Sequence, residues 1–411
     1  MNYFRVYRLK QLLKLFLFLF AITILLMLSK QNFESTSLCI MTFLYSVAPS
    51  LFPFIFFTEF ILNTDIINIL SKCIGRIIEK IFGTSKNSTI AIIIGFLCGF
   101  PMGAKTVSSL YANNFITKKE ATKLLAFVNN NNPIFIISTI GIAMFQSITI
   151  GIILLISHYT ASIIIGISLN IIESTSIIHK KSENLNSFDK KTLKTANSFE
   201  KKYSNISFFD LIRKSILNTF VTLGTILGFI IIFNLLFNIC KILLNQINVS
   251  PTVTSFISGI FEVTLGTKNI ATLNIEIESK VIIASFLLGF SGLCILSQIY
   301  STVYMHKFKF KNILIPKIFH GLISGIITFL LIFNFDFNLE ATTSVFNNAS
   351  INMKYDKFFE NLKTAYIDST LLIVAILCIF AIINILVKKE NNKDYNSKII
   401  LNKKNSSLNG K

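Results

Sequence analysis

The sequence predicts an all-α polytopic membrane protein whose two related halves contain broken or re-entrant helices. Three observations predict it. The 411-residue chain is 52% hydrophobic and only 14% charged, with a mean hydropathy of +0.65, whereas water-soluble domains carry about 25% charged residues. Apolar runs near the ~20 residues needed to cross a bilayer recur along it. Two regions crowd glycine and proline into such runs, which in a membrane frees backbone N–H and C=O groups to hold a solute or ion.

At the N-terminus, Arg5, Arg8 and Lys10 precede the apolar run 12–28. No small-residue cleavage site follows, so an uncleaved anchor helix is expected within residues 1–37. The first transporter half is placed at 38–172. Its run 38–62 carries Glu59 near the end and is interrupted by Pro49 and Pro53, so a kink or break is expected. In 66–82, Lys72, Arg76, Glu79 and Lys80 alternate with Ile and Leu at helical spacing, the pattern of an amphipathic helix lying at the interface. The run 89–112 is densest in breakers, with Gly95, Gly99, Pro101 and Gly103, followed by Lys105 and Ser108. Thr117 and Glu120 read as a capping box, opening a helix that stops at Asn129, Asn130, Asn131, Asn132 and Pro133. The segment 133–145 is too short to cross and is a re-entrant candidate, while 148–172 is long enough.

Residues 173–214 hold nine Lys or Arg against five Asp or Glu and read as a polar, basic, mobile linker. The second transporter half is placed at 215–387. It has a spanning run at 215–239 and a breaker region at 250–271 with Pro251, Gly259, Glu262 and Gly266. A Gly-interrupted helix at 281–305 contains Ser291 and Gln298, and runs 313–333 and 366–387 span. Between them, 334–365 carries four acids against three lysines and is expected outside, ahead of a basic disordered tail at 388–411. The positive-inside bias puts the N-terminus, linker and tail in the cytoplasm. The net charge of +19 therefore belongs to loops beside membrane lipid, and no nucleic-acid partner is expected.

The halves rhyme. Glu59 pairs with Glu262, and Gly95-Phe96 with Gly289-Phe290, although the offsets of 203 and 194 differ. Corresponding broken helices point to a transporter's central site, and the expected substrate-binding residues are Gly99, Pro101, Gly103, Lys105, Ser108, Asn130, Asn132, Ser291 and Gln298. Lys105 reads either as an anion anchor beside broken-helix N–H groups or as a lysine snorkelling to the interface. The asparagines are either a solvated stop or amide donors to a substrate. Ser108 and Ser291 otherwise bond back to their own helices, and a buried Gln298 amide needs several partners. Glu59 and Glu262 read as ion-coupling groups for Na⁺ or a proton, or as interfacial helix-end acids. Six isolated cysteines and four histidines without ligand spacing argue for no metal and no cofactor. No Ser/His/Asp order, H-E-x-x-H or G-x-x-x-x-G-K-[ST] occurs, so neither an enzyme nor an ATP-driven pump is expected.

Several motifs occur in a telling order: S-L-F-P-F at 50–54, G-F-P-M-G-A-K at 99–105, N-N-N-N-P ending at Pro133, G-I-F-E-V-T-L-G at 259–266 and G-F-S-G-L at 289–293. Together, over residues 38–387, they resemble the sporulation integral membrane protein family of the YlbJ type, also called stage V sporulation protein V. That family lies within the nucleoside-recognition or gate-domain transporters. The resemblance implies an endospore former and a protein of the mother-cell-derived outer forespore membrane. It further implies a need in spore cortex formation and transport of dipicolinic acid, a small anionic substrate that suits Lys105. A nucleoside or nucleobase carrier and a non-transporting sporulation scaffold are the alternatives. Family members often carry Ser-Gly-Tyr-Pro where this chain has Cys98, Gly99, Phe100 and Pro101, so hydroxyl groups are missing there.

Overall fold

The computed structural model describes residues 29–62, 64, 66–178 and 207–335, with a few positions between 11 and 23 and residues 337 and 339. Most of the expected anchor, most of the linker, the last spanning run and the basic tail lie outside the described residues, and residues 29–37 of the anchor belong to a helix that runs on into the first half. Every regular element among those described is helical, as expected where a helix must satisfy its own backbone groups. Among the described residues, four helices are long and apolar enough to cross a membrane, or five if a bent pair counts as one span. The chain is an all-α integral membrane protein.

In the first half, α1 (Ser29–Thr42) enters α2 (Ala48–Leu62) through a π turn at Phe43–Val47. The kink expected from Pro49 and Pro53 falls ahead of them, as a 55° bend between the two helices, and α2 runs on through Pro53. Pro49 occupies the first turn of α2, where its missing N–H is tolerated. Ser50 Oγ donates to Val47 O at 2.8 Å beside the bend. The next helix, α3 (Ile66–Phe82), has the expected amphipathic pattern, with Arg76, Glu79 and Lys80 exposed and Ile77 and Ile78 buried.

The glycine-rich run forms two arms, α4 (Thr89–Leu97) and α5 (Met102–Ala112), joined by residues 98–101 with Gly99 at φ 78°. Then comes α6 (Lys118–Phe127), capped by Thr117, whose hydroxyl accepts from Glu120 N at 3.1 Å. Glu120 leaves the box incomplete: its Oε1 accepts instead from Ser85 N at 2.5 Å and Ser88 Oγ at 2.6 Å. A π-helix, Phe135–Met144, is mostly buried, and its ten residues are too few to cross. The half closes with α7 (Ile148–Ile178), which runs into the stretch assigned to the linker.

The second half contains α8 (Phe208–Gln246), then α9 (Pro251–Phe261) and α10 (Val263–Ala271) broken at Glu262. It continues with α11 (Ile277–Phe290) and α12 (Gly292–Val303), hinged at Ser291 with φ 72°, and α13 (Lys311–Asn334). The two Gly-Phe pairs fall at similar places, Gly289-Phe290 ending α11 and Gly95-Phe96 one residue short of the end of α4. The two glutamates do not, since Glu59 lies within α2 whereas Glu262 is itself the break.

Candidate functional site

The chain leaves α6 through four asparagines, each 1% exposed or less. Read as a solvated stop, they are instead a buried clamp, because a helix broken in an apolar interior leaves backbone groups that need partners. Asn132 Nδ2 donates to Leu97 O at 3.2 Å, at the end of α4, and its Oδ1 accepts from Ile134 N at 2.8 Å. Asn130 Nδ2 donates to Phe127 O at 3.1 Å, and Asn130 O accepts from Phe100 N at 2.9 Å. Asn131 Nδ2 crosses to the second half and donates to Leu288 O at 2.8 Å. Gly99 lies on this clamp, where a Cβ would come within 2.8 Å of Asn132 N, and one on Gly103 would meet Val128 O at 2.6 Å. Pro101 is the residue preceding α5.

Lys105 and Glu59 were expected in separate roles, yet the structure brings them together. Lys105 Nζ is paired with Glu59 Oε1, and Asn218 Nδ2 donates to Glu59 Oε2 at 2.9 Å. The contact ties α2, α5 and α8, and it neutralises the lysine in this conformation. Ser108 does not bond back to its own helix. It reaches Thr302 O at 3.4 Å and His306 Nε2 at 2.9 Å, joining α5 to the end of α12.

A cavity between the halves is lined by Phe100 and Phe135 from the first and by Glu262, Thr264, Cys294 and Gln298 from the second. It leaves about 10 Å³, room for one water-sized sphere. Glu262, 3% exposed, caps α10 by accepting from Thr264 N at 2.9 Å and Leu265 N at 2.7 Å. Gln298 donates from Nε2 to Cys294 Sγ at 3.2 Å, while its buried Oε1 has no partner. Ser291 bonds back to Leu288 O at 3.2 Å. Glu262→Ala is expected to destabilise the protein by about 1–2 kcal/mol through the lost cap. Glu262→Gln, which keeps an acceptor, should lose less, and thermal melts of both in detergent check the order.

A second polar cluster escaped the sequence reading. Lys317 and His320 on α13 and His158 on α7 are all 0% exposed. Lys317 Nζ donates to Asn129 O and lies 3.2 Å from His320 Nδ1. His320 Nε2 meets His158 O at 2.8 Å, and the two imidazole rings are 4.4 Å apart. The histidines were tested only for metal-ligand spacing. The available signal was different: a lysine and a histidine three apart in an apolar run share one helix face, and ionisable groups inside a span mark function.

The breaks at 98–101 and at Glu262 meet at one cavity within a bundle of apolar helices, which is the interior of a polytopic helical membrane protein. Consistent with that class, residues 44–175 match the Gate family, described as nucleoside recognition. Over 337 residues, 76% of this chain and 81% of its relative, the protein is 26% identical to the sporulation integral membrane protein YlbJ of Bacillus subtilis (strain 168). The resemblance expected from the ordered motifs is therefore found. No solved structure matches the chain.

Proposed function

We propose that this protein is a secondary carrier or facilitator that moves a small anion, dipicolinate in the first instance, across the outer forespore membrane during endospore formation. The observation that carries the reading is the small cavity where Phe100, from the first-half break, meets Glu262 and Gln298 from the second. Similarity to a relative named as a sporulation membrane protein supports the setting. A cavity of about 10 Å³ fits no dicarboxylate, so carriage requires the halves to part around it, as alternating access does. Lys105 then exchanges one carboxylate for another: the substrate takes the place of Glu59, and the lysine is never left unpaired. Glu59 and Glu262 are the groups proposed to take a coupling Na⁺.

A nucleoside or nucleobase is the second reading. It is favoured by the pairing of a carboxylate and an amide with the rings of Phe100 and Phe135 in the cavity wall, and by the Gate match. Purified protein in lipid vesicles tests both. Dipicolinate is expected to enter protein-containing vesicles and not protein-free ones, with uptake reduced at least tenfold in a Glu59→Gln/Lys105→Met double variant. Uptake of a nucleoside without dipicolinate would replace the first reading by the second. Uptake of neither would favour the scaffold.

A further inference from the structure

Lys317 and His320 lie one turn apart on α13, and neither is paired with a carboxylate among the described residues. Hydrogen-bond directions limit what the pair can hold. His320 Nε2 faces the His158 carbonyl oxygen at 2.8 Å, and that oxygen only accepts, so Nε2 carries a proton. Nδ1 then offers its lone pair to Lys317 Nζ at 3.2 Å. Were both groups fully protonated, two N–H donors would oppose each other with no acceptor between them, so the two sites titrate as a unit. His158 is not a third carrier, because its Nε2 accepts from Asn131 N at 3.1 Å, a bond that an imidazolium N–H would block.

Of the other ionisable groups on the helices packed against α13, Glu278 lies half-buried in the first turn of α11, Tyr300 packs on Tyr304 and Phe310, and the rest are engaged elsewhere. Tyr159 lies on Phe96 O and Asn131 O, and Lys119 and Lys123 pair with Glu173. Lys118 donates to His306 O, Glu120 accepts from Ser85 and Ser88, Lys280 donates to Ala271 O and Cys294 meets Gln298.

We propose that Lys317 and His320 form a one-proton site that positions the asparagine clamp, and that the proton taken up there drives the halves apart. The second clause rests on the carrier reading; the first does not. Uptake from hydronium forms one N–H bond and releases water. The added proton, held between Nδ1 and Nζ, puts a positive charge on the pair and strengthens the lysine's donor bonds. The lysine's other bond is to Asn129 O, one residue from the Asn130 carbonyl that holds Phe100 N at the α4–α5 break. A shift at the pair is thereby passed to the break.

The chain contains no tryptophan, so Phe100→Trp in the full-length protein in lipid vesicles reports from the break alone. Phe135→Trp, also on the cavity wall, replaces it should the first variant not fold. Emission is expected to shift with pH in a single transition, because the two groups titrate as a unit. The transition should vanish in Lys317→Met and in His320→Gln. Emission flat with pH, or a transition surviving both substitutions, overturns the site. In matching vesicles without the reporter, a pH gradient should speed dipicolinate uptake several-fold, and Lys317→Met should ignore it. Uptake indifferent to the gradient overturns the proton as driving ion. Absent dipicolinate uptake overturns the substrate reading instead, and the fluorescence alone then decides for or against the site.

Discussion

Gly95→Ala is expected to remove most of the folded protein from the membrane, at a cost of about 3 kcal/mol or more. A Cβ on Gly95 would lie 2.0 Å from Val128 O and 2.8 Å from the Val128 carbonyl carbon. Backbone cannot yield as a side chain does, so α4 would have to part from the end of α6. That movement would pull Leu97 O and Phe100 N from Asn132 and Asn130 and strand buried amides. Gly224→Ala is the control. Nothing lies within 4 Å of a Cβ there, and alanine is the better helix former. Yield and thermal midpoint in detergent should fall for the first and hold for the second. Equal midpoints would mean that α4 does not pack on Val128 as described.

Lys105→Ala is expected to cost about 2 kcal/mol, chiefly because the Glu59 carboxyl, 2% exposed with Asn218 beside it, would lose its ammonium partner. Breaking a fully buried pair costs about 3–5 kcal/mol. The lower figure reflects a Lys105 side chain that is 39% exposed and screened by solvent. The double variant Glu59→Gln/Lys105→Met should recover at least half the loss, since it removes the carboxylate together with its ammonium partner. Melts arranged as a double-mutant cycle measure the coupling. A double variant as unstable as the sum of its single changes would show that the pair contributes nothing. The comparison also separates stability from transport, which Lys105→Ala alone confounds.

Much of the architecture was legible because it depends on local properties. Apolar run length marked α7, α8 and α13, and helical spacing of charges marked α3. Breakers located the joints at 98–101, Glu262 and Ser291. The reading failed where a local cue has two outcomes. Proline in 48–62 permits either a break or a tolerated first turn, and the neighbouring π turn took the bend. Four asparagines before a proline permit either a solvated stop or a buried clamp. The clamp formed because α4, α7 and α11 bring Leu97, Tyr159 and Leu288 to it.

The sequence by itself determined that this chain is a helical membrane protein and where the glycine-rich runs and the Glu262 region break. Hydropathy and backbone stereochemistry are properties of neighbouring residues, so a linear reading reaches them. Only the tertiary structure decided the partner of each buried polar group. Lys105 meets a glutamate 46 positions away, and His320 meets a carbonyl 162 positions away. In a medium where an unpaired charge is costly, those partners decide whether a lysine waits for a substrate, holds two helices together or shares a proton. Partnership depends on which helix faces pack together, and no local pattern along this chain encodes that.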